Sequence, residues 1–186
     1  MKKFIFNLIA LFILKTFKNS RYIFNLLQYC LFVFYIKTKD KNVIKAMLYL
    51  TMLRYYSDGI NKISINFVEN ELEKSGNMVT EGMARITKTG DVSITFDIDN
   101  IVCFLEKGSI DINDYSGFCI YQIALHEIWH ARQFAYLFNK GGSELINLVR
   151  EREEKFEYPK GPIEQGAFRY SDSNTKDKQN LEELLV

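Results

Sequence analysis

The spacing of apolar positions divides the chain into stretches of different period. Lys62-Ile63-Ser64-Ile65-Asn66-Phe67-Val68 alternates polar and apolar residues, the pattern of a half-buried strand. Met83-Ala84-Arg85-Ile86-Thr87 is a second candidate strand, and Asp91-Val92-Ser93-Ile94-Thr95-Phe96-Asp97-Ile98 is a third and more regular one. Thr89-Gly90-Asp91 between the last two predicts a hairpin. Beyond Gly117 the period changes. Ile120, Ile123, Ala124, Ile128, Trp129, Ala131, Phe134, Ala135 and Leu137 make a helix apolar almost all round, which predicts a buried one. Asn139-Lys140-Gly141-Gly142 stops it. Ser143 reads as the N-cap of a further helix reaching Lys155, whose mixed-sign charges predict a solvated face. Pro162 suits the first turn of another, over 162–171. Strands followed by helices predict an α+β fold, with a small mixed or antiparallel sheet packed on the buried helix and a second helix beside it.

The amino-terminal third follows another pattern. Phe4 to Leu14 is an apolar run of 11 residues behind Lys2-Lys3, and Tyr22 to Ile36 is a run of 15 that includes Asn25 and Gln28. Neither reaches the roughly 20 residues that span a bilayer as a helix. Through Lys62 the chain carries a net charge of +9 and beyond it −8, an asymmetry hidden in the total of +1. Three readings are open: an uncleaved membrane or interfacial anchor within residues 4–36, core helices covering the sheet, or a true start at Met47 or Met52. Val43, Ala46, Met47, Leu50 and Leu53 continue at near-helical spacing. The balance favours membrane association or the later start. The expected organisation is thus a hydrophobic, basic segment over 1–58, an α+β domain over 59–172 and a polar tail over 173–186. The basic excess is interleaved with apolar runs and lacks a recognisable binding module, so no nucleic-acid partner is expected. Three cysteines, Cys30, Cys103 and Cys119, show no paired spacing and point to a reducing compartment.

The buried helix carries both histidines of the chain, in His126-Glu127-Ile128-Trp129-His130. Positions i and i+4 lie on one helical face, so the two imidazoles can bind one Zn²⁺ while Glu127 acts as general base on water. Without a metal, the same residues are a hydrogen-bonded pair in a core helix. A catalytic zinc takes three protein ligands. The cysteines lie upstream without the spacing to serve and no third His exists, so the third ligand is expected to be a carboxylate. Glu164 is the leading candidate, because Glu164, Ala167 and Phe168 share one face of their helix and the small Ala167 allows close packing. Glu144, Glu151, Glu153, Glu154 and Glu157 are the competitors, and Glu144 stays open. Tyr158, Tyr170 and Arg169 are nearby donors for an oxyanion, and Asp172 is a possible hydrogen-bond partner for a ligand histidine.

His126-Glu127-x-x-His130 followed by Glu164-x-x-Ala167-x-x-Tyr170-Ser171 resembles the gluzincin branch of the zincin metallopeptidases. More narrowly, it is similar to small metallopeptidases of bacteria and mobile elements, including those that cleave phage-type repressors. His130-Ala131-Arg132-Gln133 resembles the His-Glu-x-x-His-Ala-x-Gln helix of short bacterial and phage proteins. The resemblance covers residues 60–172. The chain departs from the repressor-cleaving group in having Ile128-Trp129 where a Gly precedes the second His, and in lacking a helix-turn-helix. The resemblance implies a zinc-dependent peptidase, bacterial or phage-encoded, that acts on a protein or peptide substrate from the cytoplasm or the membrane surface. It implies that the third strand lies along the active-site cleft as a sheet edge, while the residues alone fit an ordinary central strand equally well. The competing expectation is an inactive zincin-like binding or regulatory protein associated with the membrane.

Overall fold

The computed structural model of the chain describes residues 21–55, 63–72, 74–75, 78–107 and 117–176. Two helices come first, α1 (Arg21–Thr38) and α2 (Lys41–Tyr55). Strands β1 (Ile63–Val68), β2 (Lys74–Ser75), β3 (Met78–Val79), β4 (Gly82–Ile86) and β5 (Val92–Asp97) follow. Helices α3 (Ile98–Lys107), α4 (Gly117–Glu153) and α5 (Pro162–Lys176) complete the order. The architecture is α+β, around a three-stranded mixed sheet of order β1-β5-β4, with β2 and β3 in a separate ribbon.

Strand β5 runs parallel to β1, with Phe67 opposite Phe96, and antiparallel to β4, with Met83 opposite Thr95. The expected hairpin joins β4 to β5. Thr87 N–H donates to the Asp91 carbonyl at 2.9 Å and Gly90 N–H to the Thr87 carbonyl at 3.1 Å. The expectation that the third strand borders the cleft is corrected. Val92, Ile94 and Phe96 are fully buried and β5 is paired on both sides, so it has no free edge. The edge strand on the α4 side is β4, which pairs only with β5 among the described residues and packs against α4.

At the end of β5, the buried Asp97 carboxylate accepts hydrogen bonds from the backbone N–H groups of Asn70, Glu71, Leu72, Asp99 and Asn100. It caps α3 and pins the loop after β1 at once. Burial opposes its ionisation, but the backbone N–H groups of Leu72, Asn100, Asn70 and Glu71 outweigh burial and lower its pKa.

Helix α4 is two helical arms joined at a kink. Gly141 and Gly142 leave helical geometry, and Gly142 has φ +61°, a conformation that favours glycine. The expected stop therefore falls where the sequence puts it, and residues 143–153 form a second arm. The first arm packs on β4, β5 and α2, and α5 packs along α4. Helix α5 continues past 172 to Lys176, and the hydroxyls of Ser171 and Ser173 donate back to the carbonyls of Phe168 and Arg169.

Helices α1 and α2 belong to the same core. Phe24, Phe32, Tyr35, Val43, Ile44 and Met47 are buried in one cluster with Ile94, Phe96 and Leu125. The polar interruptions of the second apolar run have a use here. Gln28 Nε2 donates to the Met47 carbonyl at 3.0 Å and to Thr51 Oγ1 at 3.1 Å, tying α1 to α2. The first apolar run, 4–14, and the end of the chain beyond 176 lie outside the described residues. Among the described residues no helix is long and apolar enough to cross a membrane.

Candidate metal centre

One turn of α4 puts His126 and His130 on the same face, and the close packing of α5 brings Glu164 against them. His126 Nε2 and His130 Nε2 are 3.0 Å apart. Glu164 Oε2 lies 3.3 Å from His126 Nε2, and Glu164 Oε1 lies 3.5 Å from His130 Nε2. Two ligands each ~2.0–2.1 Å from a tetrahedral ion stand about 3.3 Å apart. The three donors are therefore spaced as one small cation requires. Glu164 Oε2 is buried without a hydrogen-bond partner of good geometry, so a lone pair is left facing the two imidazoles. The donor set and this orphaned oxygen fit a divalent metal ion. Among the described residues, this is the group of His, Cys, Asp and Glu side chains able to hold one.

The carboxylate and the imidazoles also adjust one another. Burial alone would push the Glu164 carboxyl up, but the imidazoles of His126 and His130 at 3.3 and 3.5 Å hold it down at about 2. Burial disfavours the protonated form of His130, yet the hydrogen bond to Glu164 and the charges of Glu127 and Glu164 outweigh it and raise the pKa. Gln133 was not singled out from sequence as a site residue. Its Oε1 lies 3.2 Å from His130 Nδ1 and its Nε2 donates to the Ile163 carbonyl at 3.4 Å. With Nδ1–H donating to Gln133, His130 presents the Nε2 lone pair to the site. The signal was present in His130-Ala131-Arg132-Gln133, where i+3 spacing puts Gln133 beside the histidine.

Glu127 projects from the next face of α4 towards β4. It is 6 % exposed, and burial raises its pKa against the charges of the two histidines. The Ala84 backbone of β4 hydrogen-bonds its carboxylate. Gly82 makes this fit possible. A Cβ there would stand 2.8 Å from Glu127 Cγ and 3.2 Å from Oε1, closer than side chains tolerate.

These residues face a cleft of about 910 Å³, bounded by β4, both arms of α4, and α5 with the loop before it. Of the donors considered for an oxyanion, Tyr158 lines it, and its phenol pKa is raised, by desolvation first and then by Glu164, Glu81 and Glu127. Tyr170 is engaged elsewhere, stacked on Trp129 at 4.8 Å and accepting a hydrogen bond from Arg132 at 2.9 Å. Arg169 is exposed and does not line the cleft. Phe168 packs edge-on against His126, with centroids 4.7 Å apart, and Ala167 is fully buried beneath it. The expected shared face of Glu164, Ala167 and Phe168 is thus present.

Among the competing carboxylates, Glu144, Glu151, Glu154 and Glu157 are exposed and outside the His126–His130 group. Glu153 departs from the solvated face expected of it. Its carboxylate accepts from Ile163 N–H and Glu164 N–H at 3.1 Å, and so caps the very turn that carries Glu164. Comparisons of the chain with models of protein families, with curated proteins and with solved structures find no match.

Proposed function

We propose that this chain is a zinc-dependent metalloendopeptidase of gluzincin-like type. The observation that carries the reading is the convergence of His126, His130 and Glu164 on one small cation position, with Glu127 beside it in an open cleft. Two imidazoles with a carboxylate suit Zn²⁺, and the His₂Glu set leaves a coordination position open for catalysis. Bound there, Zn²⁺ supplies the electrophile that polarises a carbonyl and acidifies water.

The chain's own residues do the rest. Glu127, buried beside the histidines, accepts a proton from the attacking water as its oxygen adds to the scissile carbonyl carbon. Glu127 then returns that proton to the amide nitrogen, the carbon–nitrogen bond breaks, and the carboxylate is restored. Burial raises the Glu127 pKa and so makes it a stronger base than a free carboxylate. The edge strand β4 offers backbone groups to an extended substrate. Tyr158 offers a phenol to the developing oxyanion.

The test pairs metal content with turnover. Full-length protein is loaded with Zn²⁺ and incubated with denatured casein, and Glu127→Gln is run in parallel. The expected result is one zinc per chain in both proteins and hydrolysis in the parent alone. Hydrolysis that survives in Glu127→Gln at more than about a hundredth of the parent rate rejects Glu127 as base. Loss of zinc from a Glu164→Ala variant checks the third ligand.

A further inference from the structure

The cleft differs in chemistry along α4. Towards the start of the helix its walls are Phe104, Cys119, Ile123 and Phe168, with Phe104 46 % and Phe168 37 % exposed. Past His130 the character changes, and Phe134 and Arg150 take over. The lining otherwise carries the carboxylates Glu81, Glu127, Glu153, Glu154 and Glu164, and among the described residues Arg150 is its single Lys or Arg.

Arg150 is placed by an aromatic stack. Its guanidinium lies 5.0 Å from the centroid of Phe134, whose ring stacks on His130 at 6.2 Å. Stacking holds a guanidinium by its face and leaves the N–H donors at its rim available. Arg150 forms no ion pair among the described residues. Glu153, one turn on, is committed to the N–H groups of Ile163 and Glu164. A cation lining a cleft with its donors unused is placed to take an anion from outside the chain.

We infer that Arg150 binds a substrate carboxylate, so that the cleft selects peptides carrying a carboxylate on the His130 side of the scissile bond. This rests on the hydrolytic reading above and adds the substrate class to it. The two ring separations put the guanidinium no more than about 11 Å from the His130 ring. An extended peptide advances ~3.3 Å per residue, so the carboxylate lies within about three residues of the cleaved bond. A planar guanidinium matches a carboxylate by a two-point hydrogen bond. The opposite side of the cleft, walled by Phe104 and Ile123, takes apolar side chains and does not compete for the charge. The carboxylate can come from an Asp or Glu side chain or from a chain terminus.

The experiment uses zinc-loaded full-length protein and a mapped cleavage site in casein, recast as matched peptides. Glu, Gln or Lys is placed at each of the three positions on either side of the bond, and a parallel set ends there in a free acid or an amide. The expected result is a kcat/KM about tenfold higher for the carboxylate on one side only, carried mainly in KM. Arg150→Gln is expected to bring that ratio close to one, and Arg150→Glu to invert it in favour of Lys. Preference for internal Glu assigns a side chain as the source, and preference for the free acid over the amide assigns a terminus. Cleavage without charge preference, or a preference that survives in both Arg150 variants, overturns the proposal and leaves the hydrolytic reading standing. Absence of cleavage of every peptide overturns both.

Discussion

A metal site fills only when its donors have lost their protons, so the acidity of each donor in the metal-free protein sets where binding begins. Glu164 is ionised at any pH above about 2 and offers no contest there. His130 does, because Glu164 and Glu127 together raise its pKa above the usual 6.5. Below that raised value the imidazole holds a proton that zinc must displace; above it the lone pair is free. Zinc affinity is therefore expected to fall by about tenfold per pH unit on the acid side of the His130 pKa and to level off on the alkaline side. Competition with a chromophoric chelator across pH 5 to 9 measures this, and a flat profile would rule out His130 as a ligand. Gly82 separates the proposed base from the candidate ligands at the same scale. A methyl added there meets Glu127 Cγ at 2.8 Å, and its three nearest atoms all belong to Glu127. Gly82→Ala is expected to lower kcat about 100-fold, as displacing a catalytic group by ~1 Å does, with zinc affinity changed less than threefold. The three residues of the candidate metal centre were legible in the sequence because fixed i, i+4 spacing and the absence of a third His left few candidates. Gln133 and Gly82 were not, since their roles depend on what the fold brings against them.

At the scale of elements, the centre depends on a join between the second arm of α4 and the first turn of α5. Glu153 ends one and caps the other, accepting from Ile163 and Glu164 across the intervening loop. Loss of a capping acceptor costs about 0.5–2 kcal/mol. Glu153→Ala is expected to lower the melting temperature by roughly 2–4 °C. Because the freed turn carries a ligand, zinc affinity should also weaken by about tenfold, in the range of a lost supporting contact. Thermal unfolding with and without zinc separates the two effects. If the melting temperature drops equally in both conditions, Glu153 supports the helix but not the metal. Charge pattern alone concealed this role, because mixed Glu and Arg on an amphipathic helix is also what an idle solvated face looks like. The strand order was hidden for a related reason. Alternation in Val92, Ile94 and Phe96 marks a strand with a buried face, but being central rather than at the edge depends on β1, which arrives from residues 63–68 by parallel pairing.

For the whole molecule, the question is what α1 and α2 contribute. An apolar run of 15 residues suits a membrane surface or a core, since both are apolar surroundings, and the sequence leaned only slightly towards the membrane or a later start. In the structure, the apolar side chains Phe24, Phe32, Tyr35, Val43 and Ile44 are buried in the cluster that also contains Ile94 and Leu125, directly beneath the motif helix. A chain begun at Met47 would lack all five and keep only half of α2. At about 1.5–3 kcal/mol for each large apolar side chain, an upper bound because unfolded chains are partly compact, the loss is on the order of 10 kcal/mol. That equals the entire stability of an ordinary domain, about 5–15 kcal/mol. Such a fragment is expected to lack a cooperative thermal transition and to bind zinc no better than an unfolded peptide carrying the same histidines. Circular dichroism melting and chelator competition on the 47–186 fragment provide the check. A cooperative transition with tight zinc binding would show that α4, α5 and the sheet form a self-sufficient unit, with α1 and α2 as an accessory layer. Failure to fold would make the first helices part of the scaffold that holds His126 and His130 in place, because Leu125 sits one residue from His126 and packs in that cluster.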